Sequence, residues 1–143
     1  MRIVADMNVI VSAFLWGGTP RRLLDAVEAR HFELFTSRAL VTELEDVLSR
    51  EKFAEQLRQT RFTPAFLLAR YTQFATLITP AQVTVPELRD PNDAHVLACA
   101  LAARAEAIVS GDDDLHAMGG YQGIPVLSPA DCLRRFEQAG GDG

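Results

Sequence analysis

Two short apolar runs that lead into aspartate constrain this chain most. Arg2–Ala5 (RIVA) runs directly into Asp6, and Ala107–Val109 (AIV) reaches Asp112 across Ser110 and Gly111. Each run is compact and continuous, the pattern of a buried strand. Phe32–Thr36 (FELFT) reads likewise, and Ile124–Leu127 (IPVL) reads as a weaker edge strand. Between them lie helical segments with recognisable starts. Thr19-Pro20 and Thr63-Pro64 each offer an N-cap followed by proline at the first helical position. Ser37 caps a segment to about Arg50, Asp90-Pro91 opens one to about Arg104, and Ser128-Pro129 opens one to about Gln138. Strands separated by helices predict an α/β fold, a three-layer α/β/α sandwich whose central sheet is mainly parallel. Residues 51–75 read as helical throughout, an inserted helical pair beside the sheet, and Gly17-Gly18 as a plain turn between helices.

A chain of 143 residues suits one domain, placed at 1–139, with 140–143 as a frayed tail. A hydrophobic share of 48% and a charged share of 23% exclude disorder and collagen-like repeats. No apolar run approaches the roughly 20 residues needed to span a bilayer. The apolar stretch Val9–Trp16 follows Asp6 and Asn8, with only Arg2 as a basic residue, which argues against a signal peptide. Cys99 and Cys132 sit in helix-like patterns and read as reduced thiols of a cytoplasmic protein.

The net charge is −5, and the acidity is concentrated after residue 75. Residues 50–70 are locally positive, with Arg50, Lys52, Arg58, Arg61 and Arg70 against Glu51 and Glu55. Such a stretch can face phosphates even on an acidic chain; the plainer alternative is a solvated helical face. No aromatic pair is read as interleaved with these basic residues, so base stacking is not expected.

Asp6 and Asp112 each follow a strand, and in a parallel sheet all strand carboxyl ends lie at one edge, where ligands bind. Their ordinary alternatives are a turn-former before Asn8 and the N-cap of a short helix at Asp113–Met118. Asp93 is a third acid. On its helix Val96, Leu97 and Ala100 lie at about −60°, +40° and −20° from it, which puts Asp93 over the centre of an apolar stripe. An unpaired carboxylate buried there costs several kcal/mol, and a helix N-terminus offsets only about 0.3–1 kcal/mol. A metal ion or a buried arginine would balance it. Asp90 is explained as an N-cap. Glu43 and Glu45 flank the stripe of Leu40, Val41, Leu44, Val47 and Leu48 on opposite edges, and periodicity does not choose between them.

Several carboxylates at one edge raise each other's pKa unless a cation joins them. Mg²⁺ or Mn²⁺ suits an all-oxygen set, and such a site can polarise a phosphodiester, activate a water and stabilise the leaving oxygen. His95 and His116 follow acids, but no zinc spacing is present and they read as surface or packing residues. No phosphate-binding glycine loop and no nucleophile elbow occur.

Four segments, VADMNVIVSAF at Val4–Phe14, SRALVTELEDVLSREKF, DPNDAHVLACAL and AIVSGDDDL, resemble in order the signature blocks of PIN domains. LWGGTPRRLL further resembles the VapC-like toxin branch of toxin–antitoxin pairs. The resemblance implies an acidic quartet that binds Mg²⁺ or Mn²⁺ and hydrolyses RNA. Matched residue by residue, it implies Asp6, Glu43, Asp93 and Asp112 as catalytic and metal-binding acids, which favours Glu43 over Glu45. Asn8, Ser110 and Asp114 match supporting positions. It also implies a homodimer silenced by a small antitoxin. From the charge pattern, Arg50, Lys52, Arg58 and Arg61 of the helical insert are expected to guide single-stranded RNA, and the short apolar runs predict no membrane partner. Met7 departs from the family's usual Thr or Ser, and this predicts reduced rather than abolished activity. An aspartyl-phosphate phosphatase is disfavoured, because Asn8 replaces the needed second Asp and Lys52 is the only lysine. A binding module with a degenerate site is the remaining alternative.

Overall fold

The structure, a computed structural model, describes residues 1–85, 88 and 90–138. The tail expected at 140–143 lies outside them. Among the described residues five strands form one all-parallel sheet in the order β3-β2-β1-β4-β5. They are β1 (Arg2–Ala5), β2 (Glu33–Thr36), β3 (Ala75–Leu77), β4 (Ala107–Val109) and β5 (Val126–Leu127). The α/β sandwich expected from the alternation of strands and helices is the observed one.

Helices α1 (Met7–Leu15) and α2 (Gly18–Glu28) connect β1 to β2. The segment from β2 to β3 holds α3 (Arg38–Leu48), a 3-10 turn at Glu51–Phe53, α4 (Ala54–Thr60) and α5 (Pro64–Phe74). Then α6 (Pro91–Ala103) leads to β4, α7 (Asp113–Ala117) follows it, and α8 (Pro129–Gln138) closes the described chain. The capping signals act as their chemistry requires. Ser37, Thr63 and Asp90 accept hydrogen bonds from the amides of Leu40, Phe66 and Asn92, and Ser128 Oγ accepts one from Asp131.

Two expectations need correction. Thr19 is not an N-cap. The helix begins two residues earlier, at Gly18 after Gly17 at φ 80°, so Pro20 falls in the first turn, where its missing N–H costs nothing. Residues 51–75 are not an insert without a strand, because α5 passes straight into β3, which pairs parallel with β2 at Leu34↔Ala75 and Thr36↔Leu77. The helices before it are the crossover that a parallel pair needs. This strand was illegible because it is three residues long, lies at the sheet edge and leaves Leu77 58% exposed.

The core gathers around β1, whose Ile3 and Val4 are fully buried, as are Ala107, Ile108 and Val109 of β4. Helix α6 packs on β1, β2 and β4 and against α3, which explains why Val96, Leu97, Cys99 and Ala100 are all buried. On α8, Cys132 is buried against β4 and β5. Both cysteines are free, and burial pushes the Cys99 thiol up to about 12 and that of Cys132 up to about 11, which leaves them protonated and inert. No helix among the described residues is long and apolar enough to cross a membrane.

The strand order fixes where a ligand can sit. From β1 the chain moves to β2 and β3 on one side, then returns through α6 to β4 on the other side. The order therefore reverses between β1 and β4, and the crevice at a parallel sheet's carboxyl edge lies at such a reversal. Those two strands carry Asp6 and Asp112 just beyond their ends.

Candidate active site

Asp6 is the N-cap of α1, and its side chain is held at both oxygens. Oδ1 accepts from the Val9 amide at 2.9 Å, and Oδ2 accepts a short hydrogen bond from Ser110 Oγ. The backbone of Asp6 extends the sheet, its amide donating to Val109 O at 3.0 Å. Ser110 is completely buried at the end of β4 and works from both sides of its hydroxyl. It donates to Asp6 and accepts from the Asp112 amide at 2.9 Å. Asp112 in turn caps α7, accepting from the Leu115 amide at 3.1 Å. The cap role and the site role of Asp6 and Asp112 are thus compatible, since a cap uses one lone pair and a carboxylate offers about four.

Met7 is fully buried in the core, and the carboxylate of Asp6 is oriented by Ser110 and Val9 without it. For the orientation of Asp6, the Ser110 hydroxyl should therefore matter more than the side chain at position 7. Ser110→Ala strips Asp6 of a donor and the Asp112 amide of its acceptor, with a loss on the order of 1–3 kcal/mol expected in urea unfolding.

Asp93 sits in the first turn of α6, only 6% exposed, and its Oδ2 is buried without a hydrogen-bond partner. Burial pushes its carboxyl up to about 6, with the charges of Asp112, Asp90, Asp6 and Asp114 adding to the rise. Glu43 on α3 is half-buried, with Oε2 unpartnered, and burial pushes it up to about 7, reinforced by Asp90, Asp6 and Asp93 and opposed by Arg50. Glu45 is exposed on the same helix. Asp6 is likewise raised, first by burial, although the hydrogen bonds from Ser110 and Val9 pull the other way. Four acids from β1, α3, α6 and the end of β4 thus feel one another across one crevice.

The tightest grouping among the described residues is Asp93, Asp112 and Asp114, which offer one carboxylate oxygen each within 4.8 Å of one another. Asp114, expected only in support, joins this trio because α7 starts at Asp113 and brings its first turn over the crevice. Asp6 and Glu43 border the trio without belonging to it. The orphaned Asp93 oxygen and the mutual rise of these carboxyl groups are what a missing positive charge produces, so the residues fit a bound metal ion. Asn8 is exposed in the first turn of α1. The pattern suits His116 to a surface or packing role. It is exposed, yet its Nε2 lies in hydrogen-bond contact with the Ser110 carbonyl.

The basic residues are partly neutralised. Arg50 pairs with Asp46 at 3.2 Å, Arg58 with Glu55, and Lys52 lies over the Phe53 ring at 5.0 Å. Arg61 ends α4 in the left-handed region at φ 64°. Aromatic rings do lie among them, contrary to expectation. Phe62 and Phe66 stack at 4.7 Å on the surface, and Trp16 meets Phe53 edge-on at 5.6 Å. The pairings escaped sequence reading because Phe62 and Phe66 meet across the α4–α5 turn, while Trp16 belongs to the distant end of α1.

The PIN domain family model matches residues 2–114. Among solved structures, the chain is similar in fold to one described as VapBC2 from Rickettsia felis bound to a DNA fragment from their promoter. The TM-score is 0.60 at 14% identity, covering 90% of this chain and 98% of that one. A comparison with curated protein sequences finds no significant match. The matched span carries the whole acid set from Asp6 to Asp114, and by it the chain belongs to the PIN-domain family.

Proposed function

We propose that this protein is a metal-dependent endoribonuclease acting as the toxin of a toxin–antitoxin pair. The observation that carries this is the carboxylate trio of Asp93, Asp112 and Asp114, with one buried oxygen unpartnered, inside a PIN domain. Asp93, Asp112 and Asp114 would hold Mg²⁺ or Mn²⁺. Asp6 would complete the set through the lone pairs that Ser110 and Val9 leave free. A bound divalent ion polarises the phosphodiester and lowers the pKa of a water, the chemistry that in-line hydrolysis needs. Glu43, whose charge is felt together with those of Asp6 and Asp93, would ligate the ion or orient the attacking water. Cleavage leaves a 5′-phosphate and a 3′-hydroxyl. Arg50, Lys52, Arg58 and Arg61 would draw the RNA backbone toward an otherwise acidic edge, and the exposed Phe62–Phe66 pair offers stacking surface.

The second reading is a catalytically weak module that acts through a partner. Its support is apolar surface: Trp16 is 57% exposed, and Phe62 and Phe66 are 43% and 48% exposed. An antitoxin and a second copy of the chain are the proposed partners under either reading. Purified protein incubated with labelled single-stranded and structured RNA, with Mn²⁺, Mg²⁺ or chelator, separates the two. Metal-dependent cleavage is expected for wild type and its disappearance for Asp6→Asn. Equal cleavage by the variant would mean contamination, and a folded protein that neither cleaves RNA nor binds Mn²⁺ in calorimetry would establish the second reading.

A further inference from the structure

We propose that the cleft beside Asp114, walled by Ala117, Met118, Gly120, Tyr121 and Gln122, receives the base of the nucleotide whose phosphate lies at the acid trio. The inference rests on the nuclease reading and adds the place where a base would be recognised.

Asp114 belongs to two features at once. It is one corner of the trio, and it forms one wall of an open cleft of about 560 Å³. Asp114 is thus common to the trio and the cleft, and the volume lies within the range of ordinary small-ligand sites. The walls have the chemistry of a base and not of a phosphate. Leu88, Met118 and Ala117 are apolar, Tyr121 supplies a ring, Gln122 supplies an amide that both donates and accepts, and among the described lining residues none is cationic. Stacking on an aromatic ring is tolerant of base identity, whereas a side-chain amide at the rim can read a base edge.

The turn that presents these groups is built tightly. The backbone groups of Tyr121 and Ile124 exchange hydrogen bonds, Tyr121 N to Ile124 O at 2.8 Å and Ile124 N to Tyr121 O at 2.9 Å. The two residues between them, Gln122 at φ 48° and Gly123 at φ 83°, both lie in the left-handed region, as in a two-residue hairpin turn that favours Asn-Gly. Gln122 is a longer side chain than that turn prefers. At Gly120, φ is 140°, and a Cβ would stand 2.9 Å from the Ile124 carbonyl oxygen, so only glycine brings the backbone this close. The result is a tight turn that carries Tyr121 and Gln122 in the wall of the cleft that Asp114 also lines. Strained backbone positions concentrate at ligand sites, and here the strain and the cleft coincide.

Two measurements test the pocket. In the first, wild-type protein labelled with ¹⁵N and saturated with Mg²⁺ is titrated with nucleoside 5′-monophosphates and, separately, with inorganic phosphate. Nucleotide is expected to shift the amides of Gly119, Gly120, Gln122 and Gly123, while phosphate alone leaves them in place. In the second, RNA cleavage is followed for Tyr121→Ala, Tyr121→Phe and Gln122→Ala. Tyr121→Ala should raise KM about tenfold with the loss in KM rather than kcat, and Tyr121→Phe should restore it, since one stacked base is worth about that factor. Gln122 is exposed, so Gln122→Ala folds regardless, and it should flatten preference among bases. Turn amides that ignore nucleotide, or that move equally with phosphate, would overturn the pocket, as would an unchanged KM in Tyr121→Ala. Nucleotide-specific shifts in a protein that cleaves no RNA would keep the pocket and overturn the nuclease.

Discussion

Asp93→Asn is expected to lose metal-dependent RNA cleavage while leaving the metal-free protein more stable than wild type. The two effects have one cause. Asp93 is a buried carboxylate whose Oδ2 has no partner and whose neighbours Asp112, Asp90, Asp6 and Asp114 are all acidic. An asparagine amide in its place removes one charge from that repulsion and presents two N–H donors to the surrounding carboxylates. A gain on the order of 1 kcal/mol at pH 8 without metal follows from the rise of its carboxyl pKa from 3.8 to about 6, discounted for solvent screening in the open crevice. Activity moves the other way. Loss of an outer supporting contact at a metal site already costs about 10–100-fold, so loss of a direct ligand should cost more than about 100-fold. Thermal unfolding with chelator and a cleavage assay with Mn²⁺ check both halves. A variant less stable than wild type without metal would contradict the repulsion, and full activity would remove Asp93 from the site.

Acidity should stabilise the metal-free protein, the reverse of what paired carboxylates do. Glu43 rises from 4.5 to about 7 and Asp93 from 3.8 to about 6 in the folded protein, both first through burial. A carboxyl group whose folded pKa is raised binds its proton more tightly when folded. Stability therefore increases as pH falls through about 7 and 6, is fully gained below the unfolded values, and is lost again on the way up. In chelator the melting temperature should be several degrees higher at pH 5 than at pH 8. Saturating Mn²⁺ should reverse the slope, because the ion binds the deprotonated carboxylates and stabilises only the folded state. Glu43→Gln should flatten the chelated profile. A melting temperature that climbs with pH in chelator, with the same slope in Glu43→Gln, would contradict the raised pKa of that acid.

How far residue patterns foretold this site depends on how each residue is placed. Asp6 and Asp112 were legible because a short apolar run ending in an acid states both the strand and its exit. Asp93 was legible because an acid on an apolar stripe is costly, and it is in fact only 6% exposed. The choice between Glu43 and Glu45 was not available from periodicity, since both border the stripe; the approach of α6 to α3 buries one and leaves the other in water. Asp114 and the His116–Ser110 contact depend on how one short helix packs against β5 beyond the end of β4, which no periodic signal encodes. Strand β3 was lost for the opposite reason. Only three residues long and largely exposed, it lacks the apolar run by which buried strands announce themselves.

The acids of this crevice do not share one kind of anchor. Asp6 and Asp112 lie just beyond the ends of neighbouring strands joined by the β1–β4 ladder, and both bond to Ser110, which ties their separation to the sheet. Asp93 and Glu43 ride on helices, which slide over a sheet by repacking side chains. The crevice therefore has a fixed jaw and a movable one. Ions of different radius, or a charge that grows as a bond breaks, must be accommodated by the helices. Core substitutions beneath α3 and α6 would accordingly retune ion preference without touching a single carboxylate.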